Sequence, residues 1–348
     1  IGAWKALREA GISIKGIAGA SVGALNGALI CMDDLRTAEY IWENISYSKV
    51  MDVDDRVMEN MRNKNLKAID VNCLAAEVKK VLRDRGFDIT PLRELIRSTI
   101  DEEKIRSSGR ELYITTFSVS DRQLLTVNAG ELPQGEIGDM LMASAFLPVF
   151  KTERLKGRRY LDGGAINNVP LDVFLERGYE DVIVIRIYGL GHDSEKHAEI
   201  PDQTSVYHIA PRQNLGGILQ FDKRQARKNI KLGYYDALRL LYGLMGRWYY
   251  IHAPEPEEFY FHQLTGQPEL MERLLPPELT ASLADEKDLL PGFRRYTEVM
   301  FPRLARKWKM REDWNYKELY LSILENAARS RRISRFRLYT PAELKEKI

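Results

Sequence analysis

The chain has 348 residues, more than a single hydrophobic core usually supports, so one large domain with an appendage or two domains are expected. Its composition of 44% hydrophobic and 29% charged residues predicts a soluble globular protein. No apolar run approaches the ~20 residues that span a bilayer. Fifty-two basic and fifty acidic side chains leave a net charge of +2, which gives no whole-chain preference for nucleic acid. Cys31 and Cys73 are too few for a disulfide framework or a thiolate metal site, although a single disulfide stays open.

Short β-rich runs alternate with helical periodicity up to about residue 245, which is typical of an α/β domain with a largely parallel sheet. The predicted helices are Gly2–Ala10, Val22–Met32, Leu35–Asn44, Val71–Arg85, Pro91–Ser98, Gly138–Ala145, Leu171–Arg177 and Arg224–Leu244. The predicted strands are Ile14–Ala18, Leu112–Val119, Leu124–Val127, Val182–Tyr188 and Ser205–Ala210. Because Val182–Tyr188 is apolar at nearly every residue, that strand is expected to be covered on both faces. The alternation then stops, so we predict domains at residues 1–245 and 246–348, the second mainly α-helical and without a clear strand.

The charges of the second region are segregated. Nine acids and two bases occupy Glu255–Asp288, whereas thirteen bases and five acids occupy Arg294–Arg337. Cations alternate with tryptophans in Arg303–Trp314, and five arginines cluster in Arg329–Arg337. Two interpretations stay open: contact with anionic lipid headgroups, or ion pairing with the acidic segment of the same region. Nucleic acid is not expected as a partner, because no recognised nucleic-acid-binding module accompanies the charge.

The sequence Gly19-Ala20-Ser21-Val22-Gly23 fits G-x-S-x-G, the nucleophile elbow in which a strand turns sharply into a helix and exposes the serine hydroxyl. Side chains at Gly19 and Gly23 are expected to collide with neighbouring backbone in such a turn. The helix N-terminus also places positive backbone dipole beside the hydroxyl. The alternative interpretation is a tight strand-to-helix turn without chemistry.

Histidine is the usual base that activates a serine hydroxyl. The five histidines are His192, His197, His208, His252 and His262. A triad of Ser21, Asp162 and either His192 or His208 follows the chain order serine, acid, histidine and is one interpretation.

A second interpretation needs no histidine. In YLDGGAINNVP, Tyr160–Pro170, the residue Asp162 ends a short strand, and Gly163 and Gly164 predict a turn. A carboxylate held there could face a serine held at another strand end. Ordinary Asp-Gly-Gly turn chemistry is the alternative interpretation.

Together these segments resemble the patatin-like phospholipase family, of the bacterial type, whose members use a serine–aspartate dyad without histidine. GIAGASVGALNGAL is similar to the family's serine elbow, and YLDGGAINNVP is similar to its Asp-Gly-Gly segment, including Asn168 and Pro170. ASAFLPVF, Ala143–Phe150, is similar to the family's Ala-Ser-rich stretch near the active site, and GAWKALREAGI to the helix after its glycine-rich loop. The resemblance extends to about residue 245.

The resemblance implies a three-layer α/β fold with a mostly parallel central sheet and a phospholipase A-like esterase that acts on lipid esters. It assigns Ser21 as the nucleophile, Asp162 as the base and the N–H of Val22 as an oxyanion donor. The glycines that support the two motifs are Gly19, Gly23, Gly163 and Gly164. No metal or organic cofactor is implied. The alternatives are an acyltransferase that uses the same dyad and a catalytically silent lipid-binding or scaffolding protein.

One part of the family pattern is missing from this sequence. The family's G-G-G-x-R/K-G loop, whose N–H groups build most of the oxyanion hole, does not occur in it. The chain begins at Ile1, within a helical pattern, so we expect an upstream segment with a first strand and this loop. Removing even one oxyanion donor lowers rates by about 10²–10³, which motivates the silent alternative. The expected location is cytoplasmic or peripheral to a membrane, and the oligomeric state is not predicted.

Overall fold

The computed structural model describes residues 1–62, 86–151, 153–188, 198–217, 219–266 and 294–348. Contacts between Cα atoms divide the chain into two compact units, Ile1–Ala237 and Leu238–Ile348. The predicted helix Val71–Arg85 and one of the two cysteines, Cys73, lie outside the described residues.

The first unit alternates helices and strands, and the α/β fold class is confirmed. Its helices are α1 (Gly2–Glu9), α2 (Val22–Cys31), α3 (Leu35–Glu43), α4 (Asp55–Arg62), α5 (Thr90–Thr99), α6 (Glu102–Ser107), α7 (Ile137–Ser144), α8 (Asp172–Glu176) and α9 (Lys223–Tyr242), in which the boundary between the units falls. Its strands are β1 (Gly16–Ala20), β2 (Glu111–Ser118), β3 (Gln123–Asn128), β4 (Tyr160–Asp162), β5 (Asp181–Ile185) and β6 (Ser205–Ile209).

Strand β2 is the central element of the larger sheet. It pairs in parallel with β1 and antiparallel with β3 and β4, whereas β5 pairs in parallel with β6. Among the described strands of this unit, the larger sheet is therefore mixed. The expected parallel pairing is found for β1–β2 and β5–β6, whereas β3 and β4 run antiparallel to β2. Strand β3 runs antiparallel to β2 because the connection between them is short, and a tight turn can join only antiparallel neighbours.

Helix α2 lies against β1 and β2 through its smallest residues. A Cβ atom at Gly27 would come within 2.8 Å of the Leu112 side chain and 3.0 Å of the Ile17 side chain. Ala24 and Ala28 are fully buried in the same contact. The small residues of this helix thus allow the close approach to the sheet that the sequence predicts.

Strand β5 is covered more fully on one face than on the other. Val182 and Val184 are buried against residues of α8 and its flanks, whereas Ile185 is 47% exposed. The expectation that Val182–Tyr188 is covered on both faces is wrong. Alternate side chains of a strand point to opposite faces, and only one of these faces is packed over its whole length.

The second unit is mainly helical, as the sequence predicts. Its helical segments are α10 (Glu257–Thr265), a π-helical turn at Arg295–Met300, α11 (Phe301–Lys307), α12 (Tyr316–Ser330) and α13 (Pro341–Lys347). Two short strands that the sequence does not reveal, β7 (Tyr250–Ile251) and β8 (Leu338–Tyr339), pair in parallel. A strand of two residues is too short to show a period of alternation. Across the described ranges, no helix combines the length and the hydrophobicity needed to cross a bilayer.

Candidate active site

Ser21 lies between the end of β1 and the start of α2, for which it is the N-cap residue. Its backbone has φ 51° and ψ −122°, a conformation that residues with side chains rarely adopt. A Cβ atom at Gly19 would lie 2.5 Å from a backbone carbon of Gly23, so the turn requires glycine at position 19. Gly23 itself is exposed and has open space at its Cβ position. The predicted collision at Gly23 is wrong, because this residue stands on the exposed side of α2.

A second serine holds this strained turn. The backbone N–H of Ser21 donates to Ser144 Oγ at 2.7 Å, and Ser144 Oγ donates to the carbonyl oxygen of Thr115 at 2.6 Å. Ser144 is fully buried at the end of α7. Sequence reasoning did not find this contact; the available signal was a lone hydroxyl in the apolar stretch Ala143–Phe150. The Ser144 hydroxyl therefore connects the Ser21 turn to β2.

Asp162 ends β4 and is 7% exposed. Its backbone N–H donates to the carbonyl oxygen of Phe146 at 2.7 Å, and its Oδ1 atom accepts from the N–H of Gly164 at 2.8 Å. A Cβ atom at Gly163 would lie 2.5 Å from the carbonyl oxygen of Thr115, so this turn can approach β2 only with glycine there. The glycine thus places the carboxylate beside the central strand.

The structure brings Ser21 and Asp162 together at one pocket. Burial raises the pKa of Asp162 above its ordinary value of 3.8, and hydrogen bonds from the Ser21 hydroxyl and the Gly164 N–H oppose this shift without cancelling it. The carboxyl group is therefore a stronger base than an exposed aspartate, and a hydroxyl group is its neighbour. Both residues stand at the ends of strands that pair with β2.

Val22 is the first residue of α2 and lines the same pocket beside Ser21. Its N–H belongs to the first turn of the helix, where backbone donors have no acceptor within the helix. Gly164 lies behind the carboxylate, where a Cβ atom would come within 3.1 Å of Asp162 Oδ1. One backbone donor, the N–H of Val22, thus follows Ser21 directly, and another, the N–H of Gly164, binds the Asp162 carboxylate.

The predicted histidines do not join this site within the described part of the chain. His208 lies in β6, and His252 and His262 belong to the second unit. His192 and His197 lie outside the described residues. No histidine is among the described residues that line the pocket.

The pocket extends from Ser21 along α2 and has an apolar wall. Its lining includes side chains from α2, α3, α5 and the segment after α7. Representative apolar members are Leu25, Leu29, Ile41, Leu92, Ile96, Leu147 and Phe150. It contains about 890 Å³ of empty space, part of which is open to solvent. A hydrocarbon chain bound there would exchange water for apolar side chains, which is favourable.

A comparison with known proteins identifies the family of this chain. The sequence profile of the patatin-like phospholipase family matches residues 1–175, which is half of the 348-residue chain. The chain belongs to the patatin-like phospholipase family. The match includes both the Ser21 turn and the Asp162 turn. Family membership supports lipid acyl hydrolase activity in general. No curated protein gives a significant match to the chain.

In this patatin-like protein, aromatic rings lie near part of the arginine cluster of the second unit. The guanidinium of Arg329 lies 3.9 Å from the ring centre of Trp248, and that of Arg335 lies 5.6 Å from the ring centre of Tyr250. Arg331 and Arg332 are exposed at the end of α12. The guanidinium of Arg337 lies 5.9 Å from the ring centre of Tyr339, so three of the five arginines lie near aromatic rings, whereas Arg331 and Arg332 face solvent.

Proposed function

We propose that this patatin-like protein hydrolyses fatty acyl esters of lipids, as a phospholipase A-like esterase, through a dyad of Ser21 and Asp162. The observation that supports the proposal is the position of Asp162, a buried carboxylate beside the Ser21 hydroxyl at the end of an apolar pocket. Its pKa is raised by burial. A base whose pKa moves toward the working pH is more effective in proton transfer.

In the first step, Ser21 Oγ attacks the carbonyl carbon of the ester while its proton passes to Asp162. The N–H of Val22, at the positive end of α2, stabilises the negative oxygen that forms. The ester C–O bond then breaks, and the alcohol leaves with the proton from Asp162. Asp162 next takes a proton from water, which attacks the acyl carbon, and returns that proton to Ser21 Oγ as the bond between Ser21 and the fatty acid breaks.

The test uses the full chain with p-nitrophenyl acyl esters and with phospholipid vesicles. Ser21→Ala and Asp162→Asn are both expected to lose hydrolysis, and a fluorophosphonate probe is expected to label the wild type but not Ser21→Ala. The exposed residues Ser98 and Asp202 provide matched controls, Ser98→Ala and Asp202→Asn. Full activity in either dyad variant contradicts the dyad. Adding an alcohol acceptor and measuring the new ester separates hydrolysis from acyl transfer.

We further infer that Arg331 and Arg332 contact anionic lipid headgroups. Both side chains are exposed, and within the described residues neither has an ion pair. Each cation near an anionic membrane surface contributes about 1 kcal/mol to binding. This charge therefore favours a peripheral contact of the second unit with a membrane.

Vesicle sedimentation tests the contact, with phosphatidylcholine vesicles that either contain or lack phosphatidylserine. Replacing both arginines by glutamine is expected to weaken binding to the anionic vesicles by about thirtyfold. The control, Arg36→Gln with Arg122→Gln, removes the same charge from exposed positions of the first unit. Equal binding by the two double variants rules out the Arg331–Arg332 contact.

A further inference from the structure

One polar side chain interrupts the apolar wall that α2 gives to the pocket. Val22, Leu25, Asn26 and Leu29 line the pocket from this helix, and they are spaced three and four residues apart on one face. Three of these side chains are aliphatic, and Asn26 is an amide. The position of Asn26, one turn of helix beyond Val22, places it about 6 Å along the pocket from the proposed oxyanion donor.

The orientation of this amide is determined by a neighbouring tryptophan. The indole Nε1–H of Trp42 donates to Asn26 Oδ1 at 2.8 Å. An indole nitrogen is only a donor, so its partner must be the amide oxygen, and the opposite assignment of the Asn26 amide is excluded. The amide nitrogen, with its two N–H donors, therefore lies on the side of the amide that faces away from the Trp42 indole nitrogen.

The amide nitrogen is available to a bound molecule. Within the described residues, Asn26 Nδ2 has no hydrogen-bond partner, and it is not among the side-chain atoms that are sealed from solvent. Asn26 as a whole is half-buried and lines the pocket. A hydrocarbon chain that fills the pocket would desolvate these donors without replacing their hydrogen bonds, which is unfavourable.

We propose that Asn26 is a specificity-determining residue that selects acyl substrates with a second oxygen atom near the reacting carbonyl. The inference rests on the proposed ester hydrolysis, because it takes the Ser21 end of the pocket as the position of that carbonyl. An acceptor oxygen of the substrate would bind the Asn26 N–H groups, whereas a plain hydrocarbon chain would leave them unpaired. Sites with a buried donor discriminate strongly against analogues that lack its acceptor.

Two kinds of lipid supply such an oxygen. One kind has a hydroxyl or keto group on the acyl chain itself, a few carbons from the ester. The other kind has a second ester on the neighbouring glycerol carbon, as in a diacyl lipid. Both present an oxygen acceptor to the same amide, so separate arms of one experiment distinguish them.

The experiment measures binding in the Ser21→Ala background, so that it does not depend on turnover. A fluorescent fatty acid bound to the full chain is displaced by a saturated fatty acid or by isomers whose hydroxyl group moves stepwise away from the carboxyl group. A second arm compares diacylglycerol with monoacylglycerol. Asn26→Leu removes the amide at similar volume, and Asn26→Leu with Trp42→Phe also removes the indole donor that would be left unpaired.

Asn315→Asp is the matched control for a change at an asparagine. Asn315 caps α12 in the second unit, and a carboxylate there can accept the same hydrogen bond from the Glu318 N–H. This control is expected to keep the binding preference of its parent.

The Ser21→Ala parent is expected to bind at least one oxygen-bearing lipid about three- to tenfold more tightly than its plain counterpart. Both Asn26 variants are expected to lose this difference. Equal binding of all lipids in both arms, absence of lipid binding, or an undiminished preference in the Asn26 variants overturns the proposal. An Asn26-dependent preference in a wild type that hydrolyses no ester contradicts the proposed function and leaves the selection by Asn26 supported.

Discussion

Asp162 in the first unit and Glu325 in the second are both buried carboxylates, but their partners differ in number and kind. Glu325 is 3% exposed and accepts backbone N–H groups from Arg247, Trp248 and Tyr249 at 3.0, 2.8 and 2.7 Å. Both of its oxygens thus bind the loop that precedes β7. A carboxylate saturated with donors in this way stabilises a backbone conformation.

Asp162 accepts one backbone N–H, from Gly164, and has the Ser21 hydroxyl as its other neighbour. It stands at a pocket rather than within a closed loop. With fewer donors to stabilise its charge, burial raises its pKa. The hydrogen-bond donors around a buried carboxyl group, more than its burial, thus distinguish a side chain that stabilises a loop from one suited to exchange a proton.

The largest effect is expected for Asp162→Asn, which keeps the shape and the acceptor for Gly164 but removes the base. Hydrolysis is expected to fall by about 10²–10⁴. The melting temperature is expected to stay the same or to rise, because the variant removes a carboxylate whose charged form is disfavoured by burial. Initial rates and a thermal melt measure both quantities. A variant that melts several degrees lower shows that Asp162 is structural, as Glu325 is.

The second largest effect is expected for the stability of Glu325→Gln, in which an NH₂ group replaces one acceptor oxygen and faces a backbone N–H donor. We expect the free energy of unfolding of the second unit to fall by about 2–4 kcal/mol. Urea unfolding followed by tryptophan fluorescence measures it, with the exposed Glu346→Gln as control. Equal free energies of unfolding for the two variants would contradict the structural role of Glu325, because it would then contribute no more to stability than an exposed glutamate.

A smaller effect is expected for Ser144→Ala, which removes the acceptor of the Ser21 N–H and the donor to Thr115. Because Ser144 positions the backbone of Ser21, kcat is expected to fall about tenfold, in the range of one or two hydrogen bonds, with little change in KM. Ser144→Cys retains a weak donor and acceptor and is expected to recover part of the rate. A change confined to KM, or one that Ser144→Cys does not reduce, argues against this positioning role.

The smallest effect is a shift in pH dependence. Because the pKa of Asp162 is raised above 3.8, hydrolysis is expected to lose activity on acidification at a higher pH than an exposed aspartate would produce. In the folded state the protonated form is favoured, so the stability from Asp162 is greatest below the unfolded pKa and decreases as the pH rises through the folded pKa.

Rates of the wild type and melting temperatures of the wild type and Asp162→Asn, measured between about pH 4 and pH 7, test this sign. The stability advantage of Asp162→Asn is expected to grow as the pH rises. An advantage that grows on acidification contradicts a raised pKa at this carboxylate.

The fold class and the two motifs could be predicted because their requirements are local. A Cβ atom at Gly19 or at Gly163 would lie 2.5 Å from a backbone atom, so both turns require glycine, and this requirement is visible in a short stretch of sequence. Most predicted helices and strands of the first unit begin and end within two residues of the observed ones, since their periodicity is also local. The upstream glycine-rich loop and the domain limit near residue 245 stay predictions.

The sequence by itself determined the α/β class, the Ser21 turn and the Asp162 turn, because strand, helix and glycine patterns are written in consecutive residues. Tertiary structure decided what surrounds them. Ser144 meets Ser21 across 123 residues, Glu325 meets its loop across 76 to 78, and Trp42 orients Asn26 across 16. Such contacts depend on how whole elements pack. For that reason local patterns could indicate the two residues of the proposed dyad, while packing determined their hydrogen-bond donors, the raised pKa of Asp162 and the shape of the pocket.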